Sequence, residues 1–448
     1  METCFGHASL IRRGGGVYKN RSKGSDVEPR AARGSFRPAV NGRTFLPWLL
    51  LGIASLAWLS PARAMLHVLG VIAAAVFQGK QVAPAVLPSD FFAFWPAAHI
   101  AVSAAPASLY TPSRFLGWTA AHVGPGLPGF MQFFYPPPAL LAMLPLAPLA
   151  PGAGLLVWTI LIALPCPFLL RRAGAPWPVI AAGLLGPASL IGVSIGEFGP
   201  LSGCIFIAAL AAASTRQPAA GALFGLLSLK PQAGLLGPVV LLARGDWRGL
   251  ATGAALAAAL AAAITLITGP AIWAAWLGRG MAAAHAHLVA PFPARYELNG
   301  VSVFWMARSL GASVALAGAA QAAAALAAAT WCWRAWRVPA PDSVSRAPAP
   351  DPVARASLTV CLTLLVTPYA YVNDMTALSV MTAWLAWRRG RLEPADVLLW
   401  LWPVLGPLLA SLAHVEAAPL AILLGALRAA RATGGIGTPA PACYPAPI

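Results

Sequence analysis

The sequence predicts an all-α polytopic integral membrane protein, and three observations carry that expectation. Hydrophobic residues make up 59% of the 448-residue chain and charged residues only 10%, against about 25% charged in a soluble domain. The mean hydropathy is +0.72. Uncharged stretches run from Phe115 to Leu170, Gly249 to Gly278, Ser309 to Trp333 and Val397 to Val415, each long enough for a spanning helix of ~20 residues. Their Ala, Leu, Gly and Pro content suits helices packed through small residues, unlike the alternating strands of an outer-membrane barrel.

Residues 1–43 carry nine Lys/Arg against Glu2, Asp26 and Glu28, a net charge of +6 within the chain's total of +17. The positive-inside rule keeps such a tail cytoplasmic, where it reads as disordered and able to touch anionic lipid. It lacks the aromatic interleaving of a nucleic-acid binder. Two uncharged runs follow, Thr44–Ala62 and Ala64–Gly79, separated by Pro61-Ala-Arg63. The long tail argues against a signal peptide. One crossing, roughly Ala64–Val86, with the earlier run interfacial, puts Asp90 outside; two crossings would return it to the cytoplasm.

Residues 88–133 read as a large extracytoplasmic first loop, rich in aromatics (Phe91, Phe92, Phe94, Trp95, Trp118, Phe130, Phe133) suited to the membrane interface and to short surface helices. Tyr135-Pro-Pro-Pro138 closes it, because proline lacks the N–H that would continue an element. Further spans are expected near 136–150, 153–170, 175–193, 198–215, 219–242, 250–269, 300–330, 356–372, 374–388, 396–413 and 417–428, about ten to twelve crossings in all. The span at 219–242 is broken at Lys230-Pro231. Arg171-Arg172, Arg244/Arg248, Arg334/Arg337 and Arg388/Arg389/Arg391 mark cytoplasmic ends. The membrane domain is expected over 44–431, with a flexible loop at 338–352 and a disordered tail at 432–448. Six scattered cysteines without Cys-x-x-Cys spacing read as buried small hydrophobes.

Polar groups within or beside the spans are few: Asp90, His99, Glu197, Lys230, Gln232, Arg279, His285, His287, Arg295, Glu297, Asn299, Arg308, Asn373, Asp374 and Glu416. No other Asp or Glu lies between Glu28 and Glu197 besides Asp90, so its presence asks for a reason. It is read either as the cap of an interfacial helix, with Ser89, or as a general base: a carboxylate of pKa ~3.9 is ionised at neutral pH and accepts a hydroxyl proton as a bond forms. Lys230 either snorkels to the interface or sets a positive charge beside a lipid-linked phosphate, with Gln232 adding a hydrogen bond. Glu197, flanked by glycines that allow close approach of a ligand, is read as a binding residue or as a loop tip in water. Arg279, His285, His287 and Arg295 form either a phosphate or sugar site or an ordinary interfacial loop. His285-Ala-His287 is no metal motif, because residues two apart do not share a helix face. Asn373-Asp374, after Thr367-Pro-Tyr-Ala-Tyr371, would bind sugar hydroxyls or cap the next helix. No nucleotide-binding glycine motif, haem motif or Asp-x-Asp pair is present, which disfavours nucleotide-sugar or ATP-driven chemistry; no cofactor or metal is expected.

In order, Ser89-Asp-Phe-Phe-Ala-Phe-Trp-Pro-Ala-Ala98, Leu109-Tyr110, Phe134-Tyr-Pro-Pro-Pro138, Gly196-Glu-Phe-Gly-Pro-Leu201, Ala220-Gly-Ala-Leu-Phe-Gly-Leu-Leu-Ser-Leu-Lys-Pro-Gln232, Leu241-Leu-Ala-Arg-Gly-Asp-Trp-Arg248 and Thr367-Pro-Tyr369 with Asp374 resemble the family 87 glycosyltransferases. The resemblance covers roughly 88–390 and is nearest to rhizobial and related proteobacterial members. Lys-Pro-Gln with its flanks and Asp-Phe-x-x-Phe-Trp are its more specific motifs. It implies a GT-C-like bundle and a polyprenyl-phosphate sugar donor, with the mannosyltransferases of mycobacteria as the type. It also implies a lipid or glycan acceptor and a periplasm-facing site in the bacterial inner membrane. The first-loop Asp acting as base maps onto Asp90. Lys230, Gln232, Glu197, Arg279, Arg295, Tyr135 and Asp374 are the expected donor-binding residues. The family commonly shows Gln where this chain has Glu197, a departure that bears on any neutral hydrogen-bonding role there. A transporter or flippase would also keep rare charges in its spans, and the Lys230-Pro231 break favours that alternative. A non-catalytic scaffold would need neither Asp90 nor Lys230.

Overall fold

The computed structural model describes residues 45–78, 87–123, 132–215, 217–294, 297–337 and 351–433. The expectations for the tails, for the loop at 338–350 and for Arg295 lie outside these residues. Among the described residues there is no strand, only one isolated bridge between Gly300 and Tyr371, so the chain is an all-α polytopic membrane protein.

The chain opens with α1 (Phe45–Phe77), a single helix that runs through Pro61. The two uncharged runs are therefore not two crossings. The apolar span within α1 is Ser55–Phe77, earlier than the expected Ala64–Val86. Next come α2 (Phe91–Ala101), α3 (Pro112–Val123) and the short α4 (Leu140–Met143). Ten of the eleven residues of α2 are buried, so this aromatic helix lies inside the protein and not on the membrane surface. Prolines then cut the apolar chain: α5 (Pro151–Ala163), α6 (Pro165–Arg172), α7 (Trp177–Leu184), α8 (Pro187–Ile195) and α9 (Gly199–Ser214) each carry Pro at their first or second position, where its missing N–H costs nothing.

The centre comprises α10 (Ala219–Leu226), α11 (Gly237–Ala243), α12 (Trp247–Thr268), α13 (Ala271–Ala275), a π-turn at Trp276–Gly280 and α14 (Met281–Leu288). The last third holds α15 (Val303–Ser309), α16 (Val314–Trp336), α17 (Pro352–Val366), α18 (Thr376–Arg389), α19 (Pro394–Ala413) and α20 (Ala418–Thr433). Among the described residues five helical stretches are long and apolar enough to cross a bilayer, α5 with α6 counting as one, or six if α7 and α8, bent by 53°, form one span. The other expected crossings fold as shorter apolar helices, because Pro and Gly interrupt them. Small residues do set the packing: on α10 and α12, a Cβ on Gly221, Gly225, Gly249 or Gly253 would strike the facing glycine's backbone or Asp246, the close approach that small-xxx-small pairs permit.

Among the described residues two large buried apolar regions meet around α8 and the start of α9, and a small third lies at α14–α16. One large region joins α6–α11 and α16–α20; the other joins α1–α5, α12 and α13. At one end, Arg389 grips both oxygens of Asp396 at 2.7 Å, and Arg428 bridges Asp396 and Glu393 at 2.9 and 2.8 Å. Arginine at 389, read from sequence only as a topology signal, thus also ties α18 to α19, and Arg428 adds α20 to the same acids.

Candidate active site

Five segments far apart in sequence converge where the two apolar regions meet. The first is the turn before α2. The backbone N–H of Asp90 donates to the carbonyl of Ile195 at 2.8 Å, and the Ser89 hydroxyl donates to Oδ1 of Asp90 at 3.1 Å. Asp90 occupies the N-cap position of α2, yet its side chain makes no capping bond. Burial, then the facing carboxylate of Glu197, push the Asp90 carboxyl up to about 8. It is therefore not the freely ionised group that the sequence suggests.

Glu197 follows α8, which ends on Gly196 in the left-handed conformation at φ 79°. Glycine takes that conformation without strain, and a Cβ there would stand 2.9 Å from Phe91 Cβ and 3.0 Å from its backbone nitrogen. The tight contact turns Glu197 inward. Only 3% of it is exposed, which rules out a loop tip in water. Tyr135 donates its hydroxyl to both carboxylate oxygens, at 2.8 and 2.9 Å. Burial and the Glu197 charge raise the Tyr135 phenol above its usual range, so it remains a donor.

Lys230 is the hinge of the cluster. The following proline forces it out of helix geometry, and it stands at φ −137°, ψ 76° between the 3-10 turns Leu227–Leu229 and Pro231–Ala233. Its side chain does not snorkel. It is 1% exposed, with Nζ 2.6 Å from Glu197 Oε1, 2.5 Å from Asp374 Oδ1 and 5.2 Å from the centre of the Phe198 ring. The charge that the sequence offers to a phosphate is here taken up by two carboxylates. Asp374 Oδ2 accepts the Tyr371 N–H at 3.1 Å, closing a capping box. Capping at this turn thus falls to Asp374, while Asn373 packs its backbone carbonyl against Gly199.

An aromatic wall surrounds these charges. Phe94, Tyr135, Trp158 and Phe198 pack at ring separations of 5.3–6.2 Å, and Trp158 donates to the Gly196 carbonyl at 2.6 Å. Sequence reading missed Trp158 and Phe198 as site residues, although Phe198 directly follows Glu197. Gln232 lines a neighbouring cavity of about 30 Å³ with Ser202, Thr363, Thr367 and Asp374, room for a water or so and not for a sugar.

The other candidates lie apart. Arg279 is exposed and donates to the Ala107 carbonyl at 3.2 Å. His99 contacts the Trp95 carbonyl at 2.9 Å, and the His287 ring meets Phe134. Glu297 accepts the Ala294 N–H, Arg308 donates to Ala312, and Glu416 accepts the Ala418 N–H. These bonds tie local turns. Among the described residues no group of three His, Cys, Asp or Glu side chains is arranged to hold a metal ion.

Fold and cluster together define a multi-pass membrane protein with a buried carboxylate–lysine centre. Residues 133–368, a little over half of the chain, match glycosyltransferase family 87, and the chain belongs to that family. It is thus a membrane glycosyltransferase. No curated protein and no solved structure matches the chain. Tyr135, Glu197 and Lys230 fall within the matched stretch, whereas Asp90 and Asp374 flank it.

Proposed function

We propose that the protein moves a sugar, mannose-like or a pentose, from a polyprenyl-phosphate donor to a hydroxyl of a lipid or glycan acceptor, with Asp90 as general base. The observation that carries this reading is the convergence of Asp90, Tyr135, Glu197, Lys230 and Asp374 on one centre within a glycosyltransferase. A solvated surface loop would not hold three acids around one buried lysine.

In the proposed step the acceptor oxygen attacks the anomeric carbon, the bond from that carbon to the phosphate oxygen breaks, and polyprenyl phosphate departs. The hydroxyl proton passes to ionised Asp90. The donor phosphodiester already carries a good leaving group in polyprenyl phosphate, so no strong acid is needed, and a single displacement inverts the anomeric centre. Glu197, Lys230 and Asp374 act as positioning groups. Lys230 neutralises part of the carboxylate charge behind Asp90, and Tyr135 fixes the Glu197 oxygens. The continuity of α1, one span and not two crossings, favours the periplasmic face of a bacterial inner membrane for Asp90.

Purified protein in bilayer discs, given a synthetic polyprenyl-phosphate sugar and candidate acceptors, tests this reading. Expected is glycosylated acceptor of inverted anomeric configuration, with nucleotide sugars inert. Transfer from a nucleotide sugar alone would refute the donor class.

A further inference from the structure

At the far end of α2 from Asp90 lies a second, open feature, a cleft of about 580 Å³. Its walls are the turn after α2, with Pro106 and Ser108, the start of α3, with Thr111 and Arg114, the α12–α13 junction, with Thr268 and Ala271, and the π-turn after α13, with Arg279. Among the described residues no carboxylate lines it. The hydroxyls of Ser108 and Thr268 donate to the carbonyls of Ala105 and Ile264, so the recognition chemistry of the cleft is that of two guanidiniums with the Thr111 hydroxyl beside them. Arg114 is the single Lys or Arg between Lys80 and Arg171. Arg279 sits in the π-turn Trp276–Gly280, a distortion often kept for function. Gly280 is pressed against the Tyr110 ring, and Arg279 Nη2 donates to Ala107. One of the five guanidinium donors thus holds the side chain at the cleft wall.

The surroundings of the cleft specify the ligand further. Thr268 ends α12, a helix long and apolar enough to cross the bilayer. Leu266, 87% exposed, and Ile267 stand open beside it, and Val102 and Leu277 are exposed on the flanking segments. Two cations at the end of a bare apolar helix complement an amphiphile with an anionic head. The eleven residues of α2 span about 16 Å at 1.5 Å per residue. A phosphate in the cleft is therefore too distant to be the group displaced at Asp90, where reacting atoms must lie ~3–3.5 Å apart.

We propose that this cleft is a lipid-phosphate site. It seats the phosphodiester head of an anionic phosphoglyceride between Arg114 and Arg279, with the acyl chains along the exposed face of α12. Arginine suits this ligand because its planar fork matches phosphate oxygens. The site is independent of the reaction assigned to Asp90.

Native mass spectrometry of the full-length protein tests it, with added dioleoyl phosphatidylglycerol, dioleoyl phosphatidylcholine or inorganic phosphate. Wild type should hold phosphatidylglycerol about tenfold or more tightly than phosphatidylcholine. Inorganic phosphate should not displace it. Arg114→Gln/Arg279→Gln should lose that preference with its thermal midpoint unchanged, whereas Arg172→Gln/Arg334→Gln should keep it. A preference that survives the first pair of substitutions, equal binding of the two lipids, or displacement by inorganic phosphate would each overturn the proposal.

Discussion

The amide of Asp90 donates to the carbonyl of Ile195 at 2.8 Å, and this bond fastens the start of α2 to the turn that carries Glu197. Two carboxylates are thereby brought face to face, and burial together with that proximity raises the Asp90 carboxyl to about 8.

A pH dependence follows from this pair. A base works only when ionised, so kcat/KM should rise with pH up to a limb near 8. Glu197→Gln removes the facing negative charge, which is one of the causes of the shift, and the limb should move to lower pH without reaching the ordinary carboxylate value, because burial persists. The sign for stability is opposite. A carboxyl whose folded pKa is raised contributes stability at low pH and loses it as pH rises from ~4 towards about 8. Rate profiles of the two proteins check the first claim; a limb unmoved by Glu197→Gln contradicts it.

Lys230→Met should be severely destabilising. It strands the buried carboxylates of Glu197 and Asp374, and removal of one partner from a buried ion pair costs ~3–5 kcal/mol. Lys230→Met/Glu197→Gln/Asp374→Asn should recover part of the loss. Thermal unfolding in detergent reads both effects.

Gly196→Ala should harm both stability and turnover. The left-handed backbone costs an alanine roughly 1–2 kcal/mol, and the new methyl would push on Phe91, next to Asp90. Gly245→Ala is the control. It shares a positive φ, 66°, but has nothing within 4 Å of the added carbon, so it should carry strain alone and leave turnover intact.

Much of this centre was legible as separate residues and little of it as an arrangement. Asp90, Glu197, Lys230 and Asp374 stand out because each is a charge in an apolar chain, where charge is costly. The break at Lys230-Pro231 is likewise readable, since proline dictates it. The inward turn of Lys230 onto two carboxylates is not, because Gly196, Phe91 and Asp374 set it from remote positions. Arg279, read like Lys230 as a cation for a phosphate but from a loop and not a proline break, is carried by the π-turn to Ala107 and the open cleft. Pro61-Ala-Arg63 looked like a break, but a proline within a long apolar run need not end the helix when packing and the bilayer sustain it. The aromatic run of α2 has the composition of an interface belt, and only its burial on every side shows that it is core.

The central claim is tested most directly by single-turnover transfer from a synthetic polyprenyl-phosphate sugar by wild type and Asp90→Asn side by side. Asp90 makes no capping bond, so the variant should fold normally and bind donor with unchanged affinity, while its transfer rate falls by ~10²–10⁴ and loses the pH limb near 8. Equal transfer rates for the two proteins would contradict the assignment of Asp90 as the base.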